Sequence, residues 1–134
     1  QASNKRLPSV ASLFVRRFVP RFLHFLFSAR LENYEMRDLN QEENYEVPFI
    51  SGAFMLFRRD VLDRINGFDP RYFLYFEDVD ICRKVHKLGF RTSYYAKAHI
   101  VHLWKRASHG NLRITLLFTM SMIRYFNKWG WQFF

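Results

Sequence analysis

The sequence predicts a folded domain of the α/β class. Hydrophobic residues make up 49% of the 134 residues and aromatic residues 19%, which is enough apolar surface to build a core. The predicted order of elements is strand, helix, aromatic loop, helix, strand, strand and helix. No glycine-rich phosphate loop of the G-x-x-x-x-G-K type interrupts this order.

Residues 1–47 predict a connector whose charge changes along its length. Residues 1–30 are basic and aromatic, and Pro8 and Pro20 interrupt any long helix. Residues 31–47 are polar and mostly acidic, which predicts a loop or a short helix. Because Gln1 is not an initiator methionine, we expect the chain to be a piece of a longer protein.

Residues 48–110 predict a compact subdomain. The apolar run 49–59 is short enough for a buried strand, in which Gly52 indicates a bulge or a close approach of the backbone to a ligand. A two-turn helix follows, with Asp60 as its N-cap and Gly67 as its stop. Asp69 and the proline after it predict a turn.

The second part of this subdomain begins with the aromatic segment 72–76. Apolar spacing predicts a helix over 78–88, ended by Gly89. Residues 90–96 and 99–104 are rich in strand-forming residues. Residues 111–128 predict a long helix within an amphipathic aromatic C-terminal segment, 111–134.

The net charge of +9 is unevenly distributed, since no Asp or Glu follows Asp80. Such a basic surface attracts phosphate on a nucleotide, a nucleic acid or an anionic membrane. No uninterrupted apolar stretch reaches the length of a membrane span, but the two cationic aromatic segments could lie on a membrane surface or pack on absent parts of the same protein. The single cysteine, Cys82, excludes an intramolecular disulfide, predicts a packing residue and fits a reducing compartment.

Three carboxylates, Glu77, Asp78 and Asp80, follow the aromatic segment. Acidic residues are stabilised in the first turn of a helix, so ordinary helix-start residues are one interpretation. A metal site of the Asp-x-Asp type and a catalytic base are the others. Helical spacing puts Asp80 within reach of Arg83 or Lys84, which predicts a structural or orienting role and leaves Asp78 or Glu77 free for chemistry.

The aromatic residues Phe73 and Tyr75 predict a wall beside these acids, of the kind that faces a sugar. His102 is a candidate metal ligand. Near it lies a cluster that would neutralise a leaving phosphate, formed by Trp104, Lys105 and Arg106. In a strand, His99 and His102 fall on opposite faces, so both cannot hold one ion without a bend.

The combined motifs resemble the second half of bacterial family 2 glycosyltransferases, particularly the rhamnosyltransferase-like members of cell-surface polysaccharide assembly. The resemblance covers roughly residues 48–131. The matching positions are Gly52, Ala53, Met55, Arg58 and Arg59; Gly67, Phe68 and Asp69; Phe73, Tyr75, Glu77, Asp78, Asp80 and Arg83; and His102 and Ser108.

The resemblance implies the acceptor-side half of a GT-A fold, with mixed or antiparallel strands and flanking helices. It implies an inverting sugar transfer from a nucleotide-sugar donor to a glycan or lipid-linked acceptor. Asp78 then matches the base that deprotonates the acceptor, with Glu77 beside it. Gly52, Ala53 and the aromatic loop are expected to line the substrate pocket, and His102 to help bind the metal or the diphosphate.

The donor-binding half of such enzymes, with its primary Asp-x-Asp site, is not in this sequence. We therefore expect Mg²⁺ or Mn²⁺ and the missing N-terminal half in the full-length enzyme, and no transfer by this chain alone. An open sheet edge predicts pairing with another copy. The implied location is cytoplasmic, at the inner face of the plasma membrane.

Two other functions compete with a transferase. A nucleic-acid-binding module would explain the basic and aromatic composition, but it offers no reason for three clustered acids. We therefore expect no nucleic-acid partner. A membrane-surface module would explain the cationic aromatic segments, and it is compatible with transferase function because lipid-linked acceptors lie at the membrane.

Overall fold

The structure, a computed structural model, describes residues 4–40, 42–102 and 112–134. Its helices are α1 (Val10–Phe18), a 3₁₀ helix (Arg21–Phe27), α2 (Ser28–Tyr34), α3 (Arg59–Arg64), α4 (Glu77–Lys87) and α5 (Leu112–Trp129). Its strands are β1 (Asn4–Lys5), β2 (Tyr45–Glu46), β3 (Phe49–Ile50) and β4 (Ser93–Tyr94). The predicted α/β class is confirmed, with very short strands.

The described strands form two antiparallel pairs. β1 pairs with β3, with Lys5 opposite Phe49. β2 pairs with β4, and the rings of Tyr45 and Tyr94 stack across this pair with centroids 5.2 Å apart. The second pair is extended by a hydrogen bond that the N–H of Val47 donates to the carbonyl of Thr92.

The segment predicted as a connector contributes to the core. The Ser9 side chain caps α1 by accepting a hydrogen bond from the Ser12 N–H, and α1 ends before Pro20. Leu13 and Tyr34 belong to the same buried cluster as α4, and β1 completes a sheet with β3. The division of the chain at residue 47 remains a prediction.

The prediction of one buried strand over residues 49–59 is wrong. The strand ends at Ile50 and the chain turns at Gly52, because β1 offers only two residues for pairing within the described part of the chain. The loop that follows exposes Phe54 and Leu56. The predicted cap of α3 also differs, since Arg58 is the N-cap and Asp60 lies in the first turn.

Helix α4 was predicted correctly to within one residue at each end. Its apolar face, including Ile81, Cys82 and Val85, is buried, and Gly89 ends it with φ +81°. Cys82 is fully buried, and this burial raises the pKa of its thiol to about 11. Its predicted role as a packing residue is confirmed.

The last elements follow the prediction in part. Residues 90–96 contain β4, whereas His99 to His102 form no strand, and residues 103 and 104 lie outside the described part. Helix α5 was predicted to start at 111, which also lies outside it, and is described from Leu112 to Trp129. No helix in the described ranges is long and apolar enough to cross a membrane.

Helix α5 is joined to α4 through the buried carboxylate of Asp80. Lys128 donates a hydrogen bond to it at 2.9 Å, and the indole N–H of Trp129 donates another at 2.7 Å. Lys128 also contacts Asp69, 2.9 Å away, so one ammonium group ties the turn before the aromatic segment to both helices. The side chain of Asp80 is only 1% exposed.

The predicted pair of Asp80 with Arg83 is therefore corrected. Arg83 instead donates a hydrogen bond to the hydroxyl of Tyr125 and lies 4.6 Å from the ring centroid of Trp129. Asp80 and Arg83 both contact α5, and their structural role remains a prediction. Sequence spacing detects partners within one helix and cannot detect a partner about fifty residues away.

Replacing Asp80 with Ala is expected to lower the free energy of unfolding by about 3 kcal/mol, because the Lys128 charge and the Trp129 N–H lose a buried acceptor. Urea denaturation followed by far-UV circular dichroism measures this change. The matched control is Asp63→Ala, which breaks an exposed pair with Arg59 and should change stability by less than about 0.5 kcal/mol. Equal losses in the two variants would contradict the prediction.

Candidate active site

The site begins at an unusual turn before α4. Tyr75 and Phe76 have φ values of +67° and +68°, a left-handed conformation that side chains other than glycine rarely adopt. Each costs roughly 1–3 kcal/mol and persists only where surrounding contacts maintain it. Such backbone strain clusters at functional sites.

Helix α5 provides those contacts. The ring of Phe118 lies 5.5 Å from that of Tyr75 and 5.4 Å from that of Phe76. The Ser121 hydroxyl donates a hydrogen bond of 2.9 Å to the carbonyl of Leu74. Packing on α5 therefore holds the strained turn and sets the direction in which the first residues of α4 point.

Asp78 lies in the first turn of α4 with both carboxylate oxygens anchored. Its Oδ2 accepts a hydrogen bond of 3.1 Å from the backbone N–H of Gly52, and its Oδ1 accepts one of 2.8 Å from the N–H of Val79. The residue is half-buried. Each oxygen keeps a further lone pair, so the carboxylate is oriented and still able to accept a proton.

Glu77 directly precedes Asp78, and its carboxylate also lies near Gly52. A Cβ placed on Gly52 would lie 3.9 Å from an oxygen of each of the two acids. The Oε2 of Glu77 is buried and has no hydrogen-bond partner among the residues that the structure describes. Burial, and secondarily the charge of Asp78, raise the pKa of Glu77, opposed by a hydrogen bond from its own backbone.

The structure adds a basic residue that the sequence analysis missed. Lys5, on β1, is largely buried, and its pKa is lowered to about 8 by this burial and by the charge of Arg16, while Asp78 and Glu35 act in the opposite direction. Its electrostatic coupling to Asp78 arises because β1 pairs with β3, just before Gly52. No local signal in residues 1–30 indicates this placement.

The other predicted site residues have varied surroundings. Phe73 is 81% exposed, and Ala53 is exposed, so both are accessible to a ligand. Tyr75 is half-buried against Phe118. The roles of all three in substrate binding remain predictions. The predicted cluster of Trp104, Lys105 and Arg106, and Ser108 with it, lie outside the described residues.

A divalent ion does not fit the described residues. No group of three His, Cys, Asp or Glu side chains in these ranges is arranged to hold one. Asp78 and Asp80 cannot act as an Asp-x-Asp pair, because Asp80 is buried and bound to Lys128 and Trp129. His102 is exposed, and its role as a metal ligand remains a prediction.

The site therefore presents one anchored carboxylate, a second carboxyl group whose pKa is raised, and an exposed glycine backbone beside them. A carboxylate held in this way can take a proton from a hydroxyl group that approaches along the Gly52 loop.

Comparison with known proteins identifies relatives of this chain. The family model described as "Glycosyltransferase like family 2" matches residues 12–118, and this match fits a partial GT-A fold. The chain is 40% identical over 65 residues to the rhamnosyltransferase WbbL of Escherichia coli (strain K12). It is 39% identical over 56 residues to the N-acetylglucosaminyl-diphospho-decaprenol L-rhamnosyltransferase of Mycobacterium tuberculosis (strain CDC 1551 / Oshkosh).

These alignments are partial on both sides. The first covers 48% of this chain and 24% of the Escherichia coli protein, and the second covers 42% and 18% respectively. The aligned segment therefore spans about a quarter or less of the length of each of these curated relatives. No solved structure matches the chain significantly.

Replacing Glu77 with Gln is expected to make the protein more stable at pH 7. An unfolded Glu titrates near pH 4.3. The pKa of Glu77 in the folded protein is higher, so the native state keeps this proton up to a higher pH. The contribution of Glu77 to the stability of the wild type therefore falls as the pH rises through that interval, and the neutral Gln removes this contribution. Urea denaturation between pH 4 and pH 7 measures the change.

The control for this experiment is Glu32→Gln at an exposed position, which should preserve the pH dependence of the wild type. A Glu77→Gln protein whose stability follows the wild-type pH dependence would show that the carboxyl group is not destabilised by its surroundings.

Proposed function

This chain belongs to the glycosyltransferase-like family 2, and from that premise we propose that it forms the acceptor-side catalytic half of an inverting glycosyltransferase. The proposed reaction transfers a sugar from a nucleotide-sugar to a hydroxyl group of a glycan or lipid-linked acceptor. Asp78 is the proposed base and Glu77 its supporting residue.

The observation that carries the proposal is the placement of Asp78. Its carboxylate is oriented by the N–H groups of Gly52 and Val79, and the Gly52 loop beside it is exposed. The partner acid that could have made it a metal ligand, Asp80, is committed to α5. Of the two carboxylates in this Asp-x-Asp sequence, only Asp78 is thus available to a substrate.

In the proposed step, the acceptor hydroxyl lies within hydrogen-bond reach of an oxygen of Asp78. The acceptor oxygen forms a bond to the anomeric carbon while the bond from that carbon to the nucleotide diphosphate breaks. The electron pair of the broken bond leaves with the diphosphate, and the hydroxyl proton moves to Asp78. Such proton transfer contributes about 10² to 10⁴ in rate.

Rhamnose is the proposed donor sugar, and a lipid-linked intermediate of cell-surface polysaccharide assembly is the proposed acceptor. The support is the identity to two proteins named as rhamnosyltransferases, one of which is named for an N-acetylglucosaminyl-diphospho-decaprenol acceptor. Exposed Phe73 is the proposed sugar-facing surface, with the loop at Gly52 and Ala53 beside the acids. This pairing of an aromatic face with carboxylates suits a sugar.

The proposed enzyme requires Mg²⁺ or Mn²⁺ to neutralise the leaving diphosphate, with its principal ligands in a donor-binding half outside this chain. The described residues include no group of three His, Cys, Asp or Glu side chains that could hold the ion. The proposed location is the inner face of the plasma membrane, where a lipid-linked acceptor is accessible. Pairing with a second copy of the chain remains a prediction.

Replacing Asp78 with Asn in the whole enzyme that carries this chain is expected to lower kcat by about 10² to 10⁴. The Asn carbonyl can still accept the hydrogen bond from Gly52, but it cannot take the acceptor proton. Transfer is measured by chromatography with nucleotide-diphospho-rhamnose and a lipid-linked N-acetylglucosamine acceptor, and donor binding by calorimetry.

The matched control is Asp63→Asn, which removes an exposed carboxylate on α3 and should leave both kcat and donor binding unchanged. Normal transfer by the Asp78→Asn enzyme would refute the assignment of the base. Loss of donor binding together with transfer would instead assign Asp78 to the donor site.

The 134-residue chain alone is expected to give no product with nucleotide-sugar, Mg²⁺ or Mn²⁺ and acceptor, because the proposed donor-binding half lies outside this chain. The same chromatographic assay measures this. Full-length enzyme in a parallel reaction is the positive control. Turnover by the isolated chain would show that donor binding needs no further residues.

A further inference from the structure

Side chains of α5 donate hydrogen bonds to the segment that leads into α4, residues 69–80. Within the described ranges, the donors are Ser121 to the carbonyl of Leu74, Arg124 to the carbonyl of Arg71, Lys128 to the carboxylates of Asp69 and Asp80, and Trp129 to that of Asp80. Three of these donors reach the two ends of the segment. Ser121 reaches its middle, directly before the two left-handed residues.

Ser121 is buried, and its hydroxyl satisfies an irregular piece of backbone. The residue is 2% exposed, and its Oγ lies 2.9 Å from the carbonyl oxygen of Leu74. Among the described residues, no backbone N–H donates a hydrogen bond to that carbonyl. Because a backbone carbonyl withdrawn from water needs a donor, Ser121 supplies to Leu74 the bond that regular secondary structure would otherwise give.

The position of this carbonyl bears on the proposed base. Tyr75 and Phe76 follow Leu74 with φ values of +67° and +68°, and the Oδ2 of Asp78, two residues further, accepts the N–H of Gly52 at 3.1 Å. A left-handed residue that carries a side chain persists only where its surroundings maintain it. Without a donor to Leu74, the turn relaxes toward ordinary backbone angles and the first turn of α4 moves with it. The contact between Asp78 and Gly52 is then weakened.

We propose that Ser121 is a positioning residue for the sugar transfer. By binding the Leu74 carbonyl it holds the left-handed turn, and through that turn it keeps Asp78 oriented on the N–H of Gly52. Ser121 touches no reacting atom. Its effect on transfer rests on the proposed function, whereas its effect on the contact between Asp78 and Gly52 does not. A serine that only packed α5 would alter stability and leave that contact unchanged.

The first measurement is hydrogen–deuterium exchange of the Gly52 amide, followed by NMR on the whole protein with isotopically labelled glycine. In Ser121→Ala the exchange rate is expected to rise about fivefold, the factor that the loss of one hydrogen bond produces. Phe118→Leu should have the same effect, because the Phe118 ring contacts those of Tyr75 and Phe76 at 5.5 Å and 5.4 Å. Agreement between the two variants would show that the turn transmits the effect.

The matched control is Thr119→Ala, which removes another hydroxyl from the same helix. Thr119 donates its hydrogen bond to the carbonyl of Thr115 at 3.0 Å, within α5. This variant should keep the wild-type exchange rate at Gly52 and the wild-type transfer rate. Equal acceleration of Gly52 exchange in Thr119→Ala and Ser121→Ala would overturn the proposal, because a general loosening of α5 would then explain both.

The second measurement is transfer by the whole enzyme. Ser121→Ala is expected to lower kcat at least about tenfold and to leave the KM for the donor unchanged, since a misplaced base slows the chemical step without altering donor binding. Wild-type exchange at Gly52, or a wild-type kcat, would overturn the positioning role. The Asp78→Asn enzyme separates this role from the proposed function. Slow transfer by Asp78→Asn beside normal transfer by Ser121→Ala overturns the positioning role alone, whereas normal transfer by Asp78→Asn overturns the proposed base itself.

Discussion

The buried carboxylate of Asp80 is the interaction on which the site depends. It lies in the first turn of α4, and it binds Lys128 and Trp129 near the end of α5. Because Lys128 also contacts Asp69, the same group fixes the turn that leads into the aromatic segment. One buried acid thus sets the position of α4 relative to both the preceding loop and α5.

That arrangement explains how a strained turn persists beside the acids. Two consecutive aromatic residues, Tyr75 and Phe76, are left-handed, and their rings pack on Phe118. Without α5, the local sequence would favour ordinary backbone angles and α4 would begin in another direction. The orientation of Asp78 toward Gly52 is therefore a property of the tertiary structure, even though Asp78 is only two residues from Asp80 in the sequence.

The parts of the fold that the sequence predicts are those with local causes. Helix α4 follows from apolar spacing and from Gly89, and the buried state of Cys82 follows from its place on that face. The extent of β3 and the partner of Asp80 depend on residues about fifty positions away, and no local pattern contains them. Lys5 is the clearest case, since only the pairing of β1 with β3 brings it into the electrostatic surroundings of Asp78.

Gly52 shows how the fold and the proposed chemistry divide the demands on one residue. The structure uses its N–H as a donor to Asp78, which any residue except proline could supply. A Cβ there would meet Asp78 at 3.5 Å, an ordinary contact, and the backbone is not left-handed, so packing and conformation would both accept alanine. Packing and conformation therefore give no reason for glycine at this position, and the close approach of a ligand to this backbone remains a prediction.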